Sequence, residues 1–515
     1  MINQLLDFEN TKLDCSKTWK LISDGNTKGV FQLESRLGQS MAKKLKPSNI
    51  EELAALISIM RPGCLEALRD GKTVSNHFID KKNGLESIDY FHPSLESILQ
   101  TTYGEMVYQE QAMEICQKVA NFDLMEADML RKAIGKKNPE EMARIKKLFL
   151  EKSKQANILS DKEAEEIFGW IEKSQRYSFN KSHAISYALN AYVSAYAKAH
   201  HTKEFFVSYL KFAKEKIDPM KEVSDLVSNA SESGIVIKLP DIRYPHKDFF
   251  LKDDIIYFGL TNIKSVGDSV FEKITNLVNH YQLDINSASV YEILFIILDQ
   301  INSQSAKAMI SVGCLDYFKI SRKKLLFYLD TIGNLSKREK ELIISSENIK
   351  KDNIVDIFSS LRGQVSARRA NAIESLIKAL ESPAYSLQDS YEWIANTEKQ
   401  YLGASITCSI VDSRNLEDAN IDCKTLGKTK SVLKHIILGA EILYSNIVKT
   451  KKGANPGQEM AFIKLGDGSG SCDIVAFPGE YKKYKSLLIE GNTVMFSLEQ
   501  SKNRDTVILK KCWQI

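Results

Sequence analysis

The stretch Tyr177-Ser178-Phe179-Asn180-Lys181-Ser182-His183 brings a hydroxyl, an amide, an ammonium and an imidazole together within seven residues. It leads into a run of alanines and tyrosines with helical spacing. Asn180 or Ser182 can cap that helix through a side-chain oxygen. A helix N-terminus with free backbone N–H groups and Lys181 beside it suits a phosphate. His183 stands one residue inside the helix, where its ring can meet a sugar or a base. A well-capped core helix with an incidental lysine would read the same way. A second cluster is Leu130-Arg131-Lys132-Ala133-Ile134-Gly135-Lys136-Lys137, with cations at 131, 132, 136 and 137 around one glycine. On a helix Arg131 and Gly135 share one face and Lys132 and Lys136 another, so only some of the cations can converge. A triphosphate or a DNA backbone suits such a cluster; so does an ordinary solvated face.

A third candidate is Gly259-Leu260-Thr261-Asn262-Ile263-Lys264-Ser265-Val266-Gly267-Asp268. An apolar–x–x–apolar pattern followed by Gly267 at the opening of a helix predicts a helix–hairpin–helix. Gly259, Lys264 and Gly267 are its DNA-binding candidates, because glycine lets backbone N–H groups approach a phosphate closely without reading sequence. Ile310-Ser311-Val312-Gly313-Cys314-Leu315 is a weaker second copy. The fourth candidate lies in the last 85 residues. Tyr444, Phe462, Phe477, Tyr481 and Tyr484, with Lys449, Lys451, Lys452 and Lys464, could stack and neutralise single strands. Most of these aromatics are expected in the core; Phe477 and Lys464 are the chosen contacts.

Nucleotidyl transfer requires metal ions held by carboxylates at close range. No Asp-x-Asp sits on an apolar strand. Asp253 and Asp254 are adjacent, so on a strand they would point to opposite faces. Asp123, Glu126 and Asp128 read as capping and surface residues, and the histidines are scattered apart from His200-His201.

The elements that must carry these residues follow from periodicity. Val107, Tyr108, Ala112, Ile115, Cys116 and Val119 recur at three- and four-residue steps, as on one helix face. Ala184, Tyr187, Ala188, Ala191, Tyr192, Ala195, Tyr196 and Ala199 form a stripe that permits close packing against a neighbour. Residues 235–239 and 249–260 read as short strands, the latter a pair turning at Asp253-Asp254. Residues 331–380 are charged and read as exposed helices. From Ile436 onward five short strands, with a helical insert over 481–488 before the fourth, predict an OB-type barrel.

The bulk numbers bound the rest. The 515 residues suggest roughly three or four domains. A net charge of +4 neither demands nor excludes nucleic acid. Eight cysteines without a CxxC pair argue for free thiols rather than a zinc ribbon. The first nine residues lack the pattern of a signal peptide, and no apolar run approaches the roughly 20 residues of a membrane span. The expectation is a soluble, cytoplasmic protein.

Taken in order, the motifs resemble the C-terminal portion of the bacterial replicative DNA polymerase III alpha subunit. The resemblance rests on Gly29-Val30-Phe31-Gln32-Leu33-Glu34-Ser35, Arg61-Pro62-Gly63, Tyr103-Gly104 with Val107-Tyr108-Gln109-Glu110-Gln111, Ala127-Asp128-Met129-Leu130-Arg131-Lys132-Ala133, and Phe179-Asn180-Lys181-Ser182-His183. Pro240-Asp241-Ile242, the Gly259 hairpin and Leu465-Gly466-Asp467-Gly468-Ser469-Gly470 continue it. It implies a multidomain α+β protein: mostly helical fingers over 1–235, a helix–hairpin–helix and clamp-binding region over 236–430, and an OB barrel over 431–515.

It also implies a nucleotide site of Arg131, Lys137, Lys181, Ser182 and His183, with Lys132, Lys136, Gly259, Lys264, Gly267, Lys464 and Phe477 on DNA. In the family a palm with catalytic aspartates and a PHP domain precede this region. The reading is therefore one half of a split polymerase, with Mg2+ held by a palm-bearing partner chain and with primer–template DNA and deoxynucleoside triphosphates as ligands. The alternative is a non-catalytic DNA-binding relative. Two departures bear on this. Ser178 replaces a glycine of the family pattern, and the sliding-clamp motif survives only as Ile354-Val355-Asp356-Ile357-Phe358, without its glutamine.

Overall fold

The computed structural model describes residues 11–136, 139–174, 178–428, 435–450, 456–501 and 506–515. The chain divides into a unit over 1–205 and a unit over 206–515.

The first unit is helical, with one small hairpin of β1 (Leu68–Arg69) and β2 (Lys72–Thr73). Its main helices are α1 (Ser16–Ser23), α2 (Arg36–Leu45), α3 (Ile50–Ile59), α4 (Val74–Lys82), α5 (Gln109–Ala120), α6 (Leu124–Lys136), α7 (Pro139–Ala156), α8 (Asp161–Ser174) and α9 (Lys181–His200). They enclose two cores. One gathers Trp19, Ile22, Leu53, Phe78 and Tyr192 around α3 and α9. The other gathers Leu99, Ile115, Val119, Phe149 and Phe168 around α5, α7 and α8.

The alanine stripe of α9 works as its spacing predicts. Ala184, Ala188, Ala191 and Ala195 are fully buried in the core that α3 shares. All of α3 from Glu52 to Ile59 is buried, as befits a helix apolar on every side. The reading of 107–119 as one helix face needs correction. Val107 and Tyr108 are extended residues ahead of α5 and belong to the first core, whereas Ala112, Ile115, Cys116 and Val119 belong to the second. Gln111 makes this junction: its Oε1 accepts from the N–H groups of Val107 (2.9 Å) and Tyr108 (3.0 Å), and its amide donates to Thr102 Oγ1 (2.7 Å).

The second unit opens with α10 (Pro219–Glu232) and a three-stranded sheet of β3 (Ile237–Lys238), β4 (Phe250–Lys252) and β5 (Ile255–Tyr257) in the order β3-β5-β4. Asp253 and Asp254 turn between β4 and β5 with φ of 49° and 64°, a left-handed pair that short polar side chains tolerate. Next come α11 (Asp268–His280), α12 (Ser303–Ser311), α13 (Arg322–Gly333), α14 (Lys337–Ile344), α15 (Ile354–Ser359), α16 (Ala367–Glu381), α17 (Tyr391–Leu402) and α18 (Cys423–Lys428).

Residues 331–380 are helical, but they are packed rather than simply solvated. Ile343, Ile357, Phe358 and Ile373 are buried, and Arg369 holds the buried Glu339 at 2.7 and 2.8 Å. The clamp-motif candidate 354–358 is α15 itself. Ile354, Ile357 and Phe358 are each at most 1% exposed, so they are spent on the core and are not presented to a partner.

The barrel consists of β6 (Ile436–Lys449), β7 (Glu459–Asp467), β8 (Gly470–Ala476), β9 (Thr493–Gln500) and β10 (Val507–Gln514), closed in the order β10-β8-β7-β6-β9. β10 pairs with β8 in parallel and with β9 antiparallel. This is an OB-type barrel, with the short helix α19 (Pro478–Tyr484) between its third and fourth strands. β6 runs unbroken over 14 residues. A register shift at Leu443 turns Tyr444 outward, opposite Lys464.

Candidate functional site

Four separate stretches of the first unit meet at the start of α9. Phe179 bridges to Tyr108 in parallel: its N–H donates to Val107 O and its carbonyl accepts from Gln109 N–H, both at 2.9 Å. Asn180 caps α9 by accepting from His183 N–H at 2.9 Å. The exposed Arg61 lays its guanidinium 3.8 Å from the centre of the Phe179 ring. The exposed His183 ring lies 5.5 Å from Phe179 and 4.0 Å from Tyr187. Phe31, 39% exposed, meets Tyr187 edge-on at 5.2 Å. Lys181 Nζ stands 5.8 Å from the ring of Tyr108, whose phenol is pushed well above its ordinary pKa by burial. The result is a surface of rings packed edge-on and tilted, flanked by Arg61 and Lys181. It can stack against a planar base and neutralise phosphates.

The expectation of free N–H groups at the start of α9 is met only in part, because those of Lys181 and His183 are taken. Glu110, in the first turn of α5, fills that end. Its carboxylate accepts from Lys181 N–H at 2.9 Å and from Asn180 Nδ2 at 2.8 Å. A carboxylate there satisfies orphan donors and complements the helix dipole. With the N–H groups of Lys181 and His183 taken, side chains are the main grip left for a phosphate held here. Ser182 and His183 project from the first turn, exposed. Ser178 stands just ahead of the turn. Its N–H and hydroxyl both bond Ser174 O, at 2.8 and 2.9 Å, so it ties the turn to the end of α8.

The cationic helix is arranged differently from its helical-wheel reading. Arg131 and Lys132 both converge on Asp128, each at 2.8 Å. These two cations hold the Asp128 carboxyl below its ordinary pKa, Lys132 contributing most. Both remain substantially exposed, with 40% and 61% of their side chains open. Asp123 and Glu126 cap α6 reciprocally at 2.8 Å, in the capping role expected of them. The side chain of Lys136, all of Lys137, and Tyr177, Lys451 and Lys452 lie outside the described residues.

In the second unit the Gly259–Gly267 segment forms a hairpin between a 3-10 turn at Leu260–Asn262 and α11. A Cβ on Gly259 would lie 2.4 to 2.5 Å from the backbone of Asp248, so Gly259 is needed for close chain approach rather than for a ligand. Gly267 is the opposite case. It caps α11 in an extended conformation, and a Cβ there would meet nothing within 4 Å. Lys264 is exposed beside it, its N–H bonded to Tyr401 O at 2.8 Å.

The second hairpin copy is corrected. Gly313 has φ of 82°, and a Cβ there would meet Arg322 Nη2 and Asp316 at 2.5 Å. Arg322 is buried and also bonds the fully buried Glu398 at 2.9 Å. Gly313 thus faces an internal ion network.

On the barrel, Tyr481 is buried and Tyr484 half-buried, as expected, and Phe477 is 40% exposed. Phe462, expected in the core, is 47% exposed. It shares the outer face of β7 with Lys464, next to Tyr444 and Asn446 of β6. Alternation along β7 predicts this, because Ala461, Ile463 and Leu465 take the inside.

No local pattern marks Phe31, Arg61 or Glu110 for this site, and the helical spacing of Tyr187 signals only packing. Among the described residues no group of three or more His, Cys, Asp or Glu is placed to hold a metal ion. None of the described helices is long and apolar enough to cross a membrane.

Two family models match. Residues 2–157 match the bacterial DNA polymerase III alpha subunit finger domain, and residues 234–325 match a helix-hairpin-helix motif. The chain is 29% identical to the DNA polymerase III subunit alpha of Chlamydia pneumoniae over 515 residues, 99% of this chain and 39% of that protein. It is also 29% identical to the subunit from Staphylococcus aureus strain Mu50 over 496 residues, 96% of this chain and 42% of that protein. The turn at 179–183 lies outside both family models but inside this similarity. The chain thus spans about two fifths of the length of these relatives, and it resembles their C-terminal portion.

Proposed function

We propose that this chain, a relative of the C-terminal portion of the bacterial DNA polymerase III alpha subunit, is the nucleotide- and DNA-gripping part of a replicative DNA polymerase. In this reading it works with a palm and thumb carried on a separate polypeptide. The observation that supports it best is the meeting of Phe31, Arg61, Phe179, Lys181, His183 and Tyr187 on one exposed surface. A chain that never met a nucleotide would gain nothing from leaving that surface open.

The division of labour follows from the groups present. Lys181 and Arg61 hold the triphosphate by charge-assisted hydrogen bonds. His183, braced between Phe179 and Tyr187, lies against the sugar and helps exclude ribonucleotides. Arg131, Lys132, Lys136 and Lys137 add positive charge toward the triphosphate or template. Lys264 and the open N–H groups around Gly267 take a duplex phosphate without reading sequence. Phe462, Phe477 and Lys464 offer stacking and charge to a single strand. Mg2+ supplies charge neutralisation to phosphoryl transfer when bound. The described residues of this chain do not fit it, and it is assigned to the carboxylates of the partner palm.

The test is primer extension with Mg2+ by this chain, by a palm-bearing partner, and by the two mixed. Extension is expected only from the mixture, and Lys181→Ala should lower it by about 100-fold, as for loss of a charged contact to the reacting group. A partner that extends primers equally well alone would refute the split arrangement and favour a non-catalytic DNA-binding role for this chain.

A further inference from the structure

Resting on that reading, we infer that Glu110 is the positioning residue of the nucleotide-contacting turn. It comes from a different helix, 71 residues before Lys181 in the chain. Its two carboxylate oxygens take separate donors, Asn180 Nδ2 at 2.8 Å and Lys181 N–H at 2.9 Å. Asn180 in turn caps α9 through its other side-chain atom. The turn from 179 to 183 is pinned to 107–110 by four hydrogen bonds: Phe179 N–H to Val107 O, Gln109 N–H to Phe179 O, and two to Glu110.

The carboxylate has no favourable direct contact to make with a triphosphate, because the charges are alike. Its effect runs through the turn. It fixes the backbone from which Lys181, Ser182 and His183 project, and it takes the Lys181 N–H at the start of α9. A glutamine keeps one acceptor oxygen and turns an N–H group toward the other donor, so it preserves one of the two bonds. An alanine preserves neither. The two substitutions therefore grade the function.

The experiment measures dissociation constants for dATP with Mg2+ by titration calorimetry, on the full chain bound to a primer–template duplex. Circular dichroism confirms that each variant is folded. Glu110→Ala should weaken dATP binding about tenfold, the size of losing charge-assisted hydrogen bonds, and Glu110→Gln about threefold. Glu110→Ala combined with Lys181→Ala should lose clearly less than the two single losses added together, since Lys181 is one of the groups that Glu110 positions. Circular dichroism unchanged alongside graded losses separates positioning from a general loss of structure.

If the wild-type chain does not bind dATP, or Lys181→Ala binds as the wild type does, the nucleotide reading fails and this inference with it. If Lys181→Ala weakens binding and Glu110→Ala does not, or if the two losses add in full, the inference alone is overturned.

Discussion

Gly267→Ala separates stability from DNA binding. Gly267 has φ −95° and ψ 179°, values that alanine adopts without strain, and its Cβ would meet nothing within 4 Å. Alanine is worse than glycine at an N-cap by roughly 0.5–1 kcal/mol. Against that, replacing glycine restricts the unfolded chain and stabilises by about 0.4–1 kcal/mol. The two effects nearly cancel, so the thermal midpoint should shift by no more than about 2 °C. A phosphate seated on the N–H groups that open α11 would meet the new methyl group. The affinity for duplex DNA should then fall about tenfold, the cost of one displaced phosphate contact.

The comparison variant is Lys264→Gln. Its backbone bond to Tyr401 survives, so it too should fold normally. One lost phosphate contact flattens the plot of log Kobs against log salt by about 0.9, equivalent to roughly eightfold at 0.1 M. The assay is fluorescence anisotropy of a labelled duplex across 50–300 mM KCl, with the melting midpoint measured in parallel. Gly267→Ala that binds DNA like the wild type would refute the reasoning, because the hairpin would then face no phosphate. Gly259→Ala is the internal control: its Cβ collides with the Asp248 backbone, so it should lower the midpoint whether or not DNA is bound.

Two further predictions follow. Glu339 is held down to about 2 by Arg369 foremost and by Ser336. A carboxyl whose folded pKa is depressed adds stability that is present above its unfolded value near 4.5 and is lost as pH falls toward 2. Glu339→Gln should cost roughly 1–3 kcal/mol at pH 7, the upper end discounted because Arg369 is partly exposed. The gap between wild type and variant in thermal unfolding should close between pH 5 and pH 2, and a gap unchanged at pH 3 would contradict this. On the barrel, Phe462→Ala should weaken binding of oligo(dT) by about 1–3 kcal/mol with little change in melting, whereas Tyr481→Ala should melt the barrel first. Anisotropy and calorimetry read the two effects, and equal oligo(dT) binding by Phe462→Ala and wild type would remove the barrel face from the DNA path.

Much of the architecture was legible because it is local. Asn180 caps α9 as its side chain predicts, the alanines of α9 fall on one buried stripe, and Asp253-Asp254 turns a strand pair. Hydrophobic alternation marked out the strands of the barrel, and its alternating faces are set by a two-residue period. These features depend on neighbours within a few residues, where periodicity and capping chemistry act.

What only the tertiary structure decided were partners far apart in sequence. Nothing near Glu110 announces that it will sit on the end of a helix 71 residues away, or that Arg61 will lie over Phe179. Ile354–Phe358 looked like an exposed motif until packing buried it, and Gly313 looked like a phosphate turn until Arg322 filled the space beside it. Local pattern fixes which face of an element is apolar; it carries no information about which distant carboxylate or ring will meet that element. Burial and electrostatics depend on those meetings. The sequence alone therefore determined the elements, their caps and the order of motifs. The fold determined that Phe31, Arg61, Lys181 and His183 share one surface, and that a glutamate, rather than a phosphate, occupies the helix end beneath them.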